Sequence, residues 1–143
     1  GWGTGGTITG AGQVLKAALP DIRIIAAEPE NAQLLQGKEW QPHKIQGWTP
    51  DFIPAVLDKS VVDTFYGISD EEAVHQARQL AQNEGILCGI SGGATFAAAL
   101  KVAEQAEAGA HILAMLPDTG ERYYSTPLFE GVNEGSDDEV LNT

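Results

Sequence analysis

A single cysteine, Cys88, in 143 residues leaves no partner within the chain for a disulfide, which fits a reducing compartment and a cytoplasmic setting. Basic residues are also scarce: eight Lys and Arg stand against 20 Asp and Glu, a formal charge of −12. That balance repels phosphate backbones and anionic membrane surfaces, and so argues against nucleic-acid binding. No apolar run reaches the length of a membrane span, and no signal-peptide pattern opens the sequence. His75 and His111 have no companion ligands at metal spacing, so no metal centre is read here. Cys88 itself reads as a small buried apolar residue.

What the chain has in abundance is glycine at its start. Gly1-Trp2-Gly3-Thr4-Gly5-Gly6-Thr7 runs into the helical stretch Ile8–Lys16. Glycine permits unusual backbone angles and lets a ligand approach the main chain. A glycine-rich turn opening a helix offers backbone N–H groups and the positive end of the helix dipole to an anion. The loop therefore reads as a phosphate cup, with Thr4 and Thr7 adding hydroxyl donors. Gly1-x-Gly3-x-x-Gly6 also matches the dinucleotide fingerprint, with Glu28 near the position of a ribose-binding carboxylate. A plain structural turn is the third reading of the same glycines. A cup of this kind ordinarily follows a buried strand, and nothing precedes Gly1. The expectation is a cut chain or a strand supplied from elsewhere.

At 43% hydrophobic residues the chain can bury a core and would ordinarily form one domain. Strands are expected at Ile22–Ala27, Val61–Gly67, Ile86–Ile90 and His111–Leu116. Ser69 with Glu72 forms a capping box opening a helix that Gly85 closes, and a second alanine-rich helix is expected from Ala94 to about Ala108. Residues 30–60 lack periodicity yet hold Trp40 and Trp48, and so read as an ordered excursion over a site or interface. Helices alternating with short β-branched runs predict an α/β fold, a parallel twisted sheet with helices on both faces. Residues 1–130 form the expected folded unit. Residues 131–143, acidic through Asp137-Asp138-Glu139, read as a flexible tail or a docking tail for a basic partner.

Ligands of open α/β sheets sit at the carboxyl ends of the strands. Three turns are expected there: the cup, Gly89-Ile90-Ser91-Gly92-Gly93, and Pro117-Asp118-Thr119-Gly120. On parallel strands they share one edge, where one loop can hold a phosphate while a hydroxyl from another meets a ring atom. That layout suits a phosphorylated heterocycle better than a dinucleotide.

The segments Gly3–Gly10, His43-Lys44-Ile45-Gln46-Gly47, Gly85–Ala94 and Gly120-Glu121-Arg122-Tyr123, in this order, resemble cysteine synthase (O-acetylserine sulfhydrylase). The likeness runs to about residue 131 and covers only the C-terminal half of such an enzyme, a pyridoxal 5'-phosphate protein of the tryptophan synthase β fold type. It implies that Gly3, Thr4, Gly5, Gly6 and Thr7 bind the cofactor phosphate and that Ser91 meets the pyridine nitrogen. As an unaided reading, Ser91 is an ordinary helix cap. A hydroxyl there, in place of a carboxylate, leaves the ring largely unprotonated and favours β-elimination and replacement. The implied reaction exchanges the acetoxy group of O-acetyl-L-serine for sulfide, giving L-cysteine and acetate. A homodimer and docking of serine acetyltransferase are implied as well. A cystathionine β-synthase, a serine dehydratase and a non-catalytic split half are the alternatives.

The sequence departs from the family pattern in two ways. Gly47-Trp48-Thr49-Pro50-Asp51-Phe52-Ile53-Pro54 stands where a glycine-rich loop faces the active-site entrance, so Trp48 and Asp51 bear on acyl-donor choice. The Schiff-base lysine is missing, since none of Lys16, Lys38, Lys44, Lys59 or Lys101 lies in a matching context; no catalytic residue is assigned to this chain. Glu121 and Arg122 are expected in a structural ion pair or a subunit contact.

Overall fold

Ser69 and Gly85 delimit the best-specified element. In the computed structural model, which describes residues 1–132, the Ser69 hydroxyl accepts the Glu72 N–H at 3.1 Å and opens α2, Asp70–Glu84. Gly85 then ends it in the left-handed conformation at φ 68°, where a Cβ would be strained. Only half of the expected capping box forms. The Glu72 carboxylate turns to Lys101 at 2.9 Å, tying α2 to the helix packed on it.

That helix, α3, spans Ile90–Ala103, beginning and ending earlier than the expected Ala94–Ala108. Ser91-Gly92-Gly93 was expected as a turn and is already helical, because Gly93 is where the two helices touch backbone to backbone. A Cβ on Gly93 would lie 2.1 Å from the Ala73 carbonyl oxygen and 2.7 Å from the Ala77 Cβ. The small face Ala94, Ala97 and Ala98 continues this close approach.

β1, Ile25–Pro29, and β2, Thr64–Ile68, pair in parallel with Ala26 opposite Phe65 and Glu28 opposite Gly67. Successive strand side chains point to opposite faces, and β1 shows it: Ala27 joins the core built by α2 and α3, whereas Ala26 joins a second core with Trp2, Leu35 and Leu57. α1, Gly6–Ala18, leads into β1 and packs by Gly12 on Val61. Residues 30–60 are ordered: the Trp40 and His43 rings both bond the Thr49 carbonyl oxygen, at 2.9 and 3.2 Å.

Two expected strands are absent. Ile86–Ile90 contributes only an isolated antiparallel bridge between Cys88 and Thr119, and His111–Leu116 pairs with nothing among the described residues. Their compositions suit strands, but a strand needs a paired ladder: Ile86–Ile90 meets residues 118–120 only through that bridge and two flanking backbone bonds, and His111–Leu116 makes none among the described residues. Among the described residues no helix is long and apolar enough to cross a membrane. The acidic stretch lies outside the described residues, except for Gly131 and Val132.

Candidate active site

The cup is locked at its back. Trp2 is buried; its carbonyl accepts the Thr49 N–H at 2.8 Å, and its indole N–H donates to Glu28 at 3.3 Å. Gly3 follows, and a Cβ there would sit 2.3 Å from the Gly47 carbonyl oxygen, so only glycine lets these two strips of backbone meet. Gly5 caps α1 at φ 83° without a side-chain bond. The first N–H groups of a helix have no intrahelical acceptor, and those of Thr7 and Ile8 have no partner among the described residues. They are the free donors an anion needs.

Ser91 lies across from the cup, at the second position of α3. The helix is capped by Gly89, with no side-chain cap, so the ordinary cap reading fails for Ser91. Its residue is only 4% exposed, and its hydroxyl makes no hydrogen bond as donor or acceptor among the described residues. Beneath it, Asp118 Oδ2 accepts the Tyr123 hydroxyl at 2.6 Å, and Oδ1 is buried without a partner. Burial, with the Asp118 carboxylate beside it, pushes the Tyr123 phenol up to about 12. Gly89 makes room for this pair, since its Cβ would meet Asp118 at 2.3 Å and Tyr123 at 2.5 Å.

The three segments converge, although the strands expected ahead of the second and third do not form among the described residues. Gly3, Thr7, Ser91, Pro117 and Asp118 line one cleft of about 420 Å³. Of the remaining cup residues, Thr4 and Gly6 are exposed and outside this lining, and Thr4 Oγ1 accepts the Gly6 N–H at 3.5 Å. Gly5 is buried against Leu57, so its glycine serves conformation. Trp48 lines the cleft with its ring over Gly1; Asp51 is exposed elsewhere. Neither Glu121 nor Arg122 is in an ion pair among the described residues: both are exposed, and Arg122 lines the cleft. Asp118 and Tyr123 as a pair escaped the sequence reading, although Pro117-Asp118-Thr119-Gly120-Glu121-Arg122-Tyr123 carried the signal, an acid placed to meet a tyrosine after a turn.

Glu28 overturns the dinucleotide reading. It is 0% exposed and points away from the cleft, into Trp2, the Leu35 N–H at 2.9 Å and the Gln36 amide at 3.3 Å. No ribose reaches it. Burial raises its pKa, against the pull of those three bonds and of the Lys59 charge. Between the ordinary carboxylate value and this raised one, the folded chain keeps a proton that the unfolded chain releases. Stability is therefore full in acid and falls as pH rises through the raised value. Glu28→Gln should remove that part of the pH dependence, measured as urea midpoints from pH 4 to 8.

A glycine-rich helix start at the edge of a parallel strand pair, across one cleft from the Ser91 hydroxyl, has the form of a site for a phosphorylated ring. Residues 1–118 match the model of the pyridoxal-phosphate dependent enzyme family, and the chain belongs to that family. It is 56% identical to the O-ureido-L-serine synthase of Streptomyces lavendulae over 99% of its own length and 44% of that protein. Against the cysteine synthase of Staphylococcus aureus the identity is 44%, over 90% of this chain and 42% of the other. The crystal structure of an O-ureido-L-serine synthase superposes with a TM-score of 0.94 at 54% identity, covering 99% of this chain and 45% of that one. The cysteine synthase of Entamoeba histolytica gives 0.88 at 41%, covering 98% and 42%. The fold is thus that of the fold type II pyridoxal-phosphate enzymes, and the chain spans less than half the length of these relatives.

Proposed function

We propose that this chain is the cofactor-phosphate part, residues 1–130, of an enzyme that replaces the β-substituent of an O-substituted L-serine. The residues fit the cofactor: free Thr7 and Ile8 amides and the Thr7 hydroxyl suit its phosphate, and the free Ser91 hydroxyl suits its ring nitrogen. The observation that carries the reading is Ser91, buried and unbonded in the same cleft as Gly3 and Thr7. Thr4 adds a hydroxyl beside the Gly6 amide, and Gly5 and Gly6 shape the loop.

When bound, pyridoxal phosphate supplies an aldehyde and an electron-withdrawing ring that labilise the bonds of an amino acid. The chain's own work is to hold and orient. The α1 amides fix the phosphate, and the locked Trp2–Gly3 backbone keeps them aimed. Ser91 contributes a neutral contact at the ring nitrogen, which favours β-replacement over reactions needing a fully protonated ring. Trp48 narrows the cleft from the Gly1 side.

Two nucleophiles deserve a place. Sulfide in place of the acetoxy group of O-acetyl-L-serine gives L-cysteine, as the cysteine synthase relatives suggest. The oxygen of hydroxyurea in the same place gives the product for which the 56% identical relative is named. A homodimer in the cytoplasm, docking of serine acetyltransferase, and an acidic tail over residues 131–143 belong to the same reading.

Pyridoxine 5'-phosphate, which has no aldehyde and cannot react with stray lysines, is the test ligand. Ser91→Ala should weaken its binding by about threefold to tenfold, the range of one hydrogen bond. Ser91→Asp should shift the absorption of the bound ring by raising its protonated fraction. If both variants match wild type in affinity and spectrum, Ser91 does not meet the ring.

A further inference from the structure

Glu28 is buried and titratable, yet it lies outside the cleft and no chemistry there uses it. We infer that Glu28 is a positioning residue of the phosphate cup, holding the Trp2 indole so that the Gly1–Gly3 backbone stays locked in place. The inference rests on the proposed phosphate-binding reading of that loop.

Its Oε1 accepts two hydrogen bonds, from the Trp2 indole at 3.3 Å and the Leu35 N–H at 2.9 Å, and its Oε2 accepts the Gln36 amide at 3.3 Å. Strand β1 supplies the rigid base, with Glu28 in register opposite Gly67 of β2. The charged group facing the carboxylate is Lys59, whose Nζ bonds the Leu35 carbonyl and lies 5.5 Å from the centre of the Phe65 ring. One carboxylate therefore gathers three segments: the start of the cup, the turn Leu34–Gln36 and, through Lys59, the turn Lys59–Val61.

Trp2 passes this constraint to the cup. Its side chain is fixed by Glu28, and its carbonyl is fixed by the Thr49 N–H at 2.8 Å. Thr49 is itself held at φ 34°, an uncommon angle for a residue with a Cβ, by the Trp40 and His43 rings on its carbonyl. With both ends of Trp2 fixed, the next residue, Gly3, is pressed against the Gly47 carbonyl with no freedom to drift. Preorganisation of this kind lowers the ordering cost of ligand binding. A Glu buried only to stabilise would not need an indole on the binding loop as one of its donors.

The test measures binding of inorganic phosphate and of pyridoxine 5'-phosphate by 31P line broadening, with urea midpoints recorded for each protein. Trp2→Phe removes the N–H that Glu28 holds and, being smaller, leaves a void in the core. It should lower the urea midpoint and, in the folded protein without urea, weaken both ligands by about tenfold. Glu28→Gln keeps an acceptor for the indole and should bind both ligands within about twofold of wild type. Glu28→Ala should weaken binding at least as much as Trp2→Phe. Should Glu28→Ala fail to fold, the contrast of Trp2→Phe with Glu28→Gln still decides. Affinity in Trp2→Phe equal to wild type overturns the positioning role while leaving the cup intact. A wild-type chain that binds neither ligand overturns the cup, and this inference with it.

Discussion

Replacing Gly93 by alanine is expected to lower the thermal midpoint by about 10 °C or more. The new Cβ would lie 2.1 Å from the Ala73 carbonyl oxygen and 2.6 Å from the Ala77 nitrogen, both backbone atoms of α2. Neither can swing aside as a long side chain could, so α2 and α3 must separate. Overpacking of a close-packed interior costs about 1–3 kcal/mol and sometimes more, and this contact is at the upper end because it is backbone on backbone. At the midpoint, ~3 kcal/mol corresponds to about 10 °C for a chain of this size. Separation also removes Ala94, Ala97 and Ala98 from their partners in the same core. Gly10→Ala is the control: no atom lies within 4 Å of a Cβ there, in the middle of α1. It should stabilise by about 0.5–1 kcal/mol, since alanine is the better helix former. An unchanged midpoint in Gly93→Ala would mean that the helices tolerate a wider spacing than the structure gives them.

The second large effect is a complete loss. Mixed with pyridoxal phosphate, O-acetylserine and sulfide, the 143-residue chain should form cysteine no faster than the cofactor alone. The family's chemistry needs a lysine placed for Schiff-base formation, and no lysine lines the cleft. Lys16 is paired with Asp63 at 2.7 Å, Lys101 with Glu72 at 2.9 Å, and Lys38 and Lys59 bond Gln33 and the Leu35 carbonyl. Lys44 borders a groove beside Asp70 and His75, along α2. None of the five is among the side chains lining the cleft. Cysteine appearing well above the cofactor-only rate would sink this expectation.

How much of this was legible in the sequence depends on how local each cause was. Ser69 and Gly85 act within one helical turn, so the ends of α2 could be read directly. The glycine-rich turn that opens α1 was legible too, because Gly5 takes a φ of 83° that residues with a Cβ avoid. The start of α3 was not: Gly92 and Gly93 look like breakers, and only the nearness of Ala73 and Ala77 explains why they sit inside a helix. Ile86–Ile90 and His111–Leu116 have strand composition, but pairing is decided by neighbours that composition does not reveal. Glu28 followed the dinucleotide pattern and does something else, because its surroundings come from Trp2, Leu35 and Gln36, which no fixed spacing links to it.

The run His111–Leu116 has a consequence for how the chain behaves in company. Its backbone bonds to no other described segment, and Leu113 is 92% exposed beside a half-exposed Met115. An open apolar edge of this sort is a template on which a second strand can grow. Folding proceeds at a rate independent of concentration, whereas growth on that edge needs a meeting of molecules and quickens as they crowd. Association of this chain through that edge should therefore rise with concentration, which sedimentation at two concentrations would show. A lysine at position 113 would act as a gatekeeper there, placing a charge where the next strand has to dock.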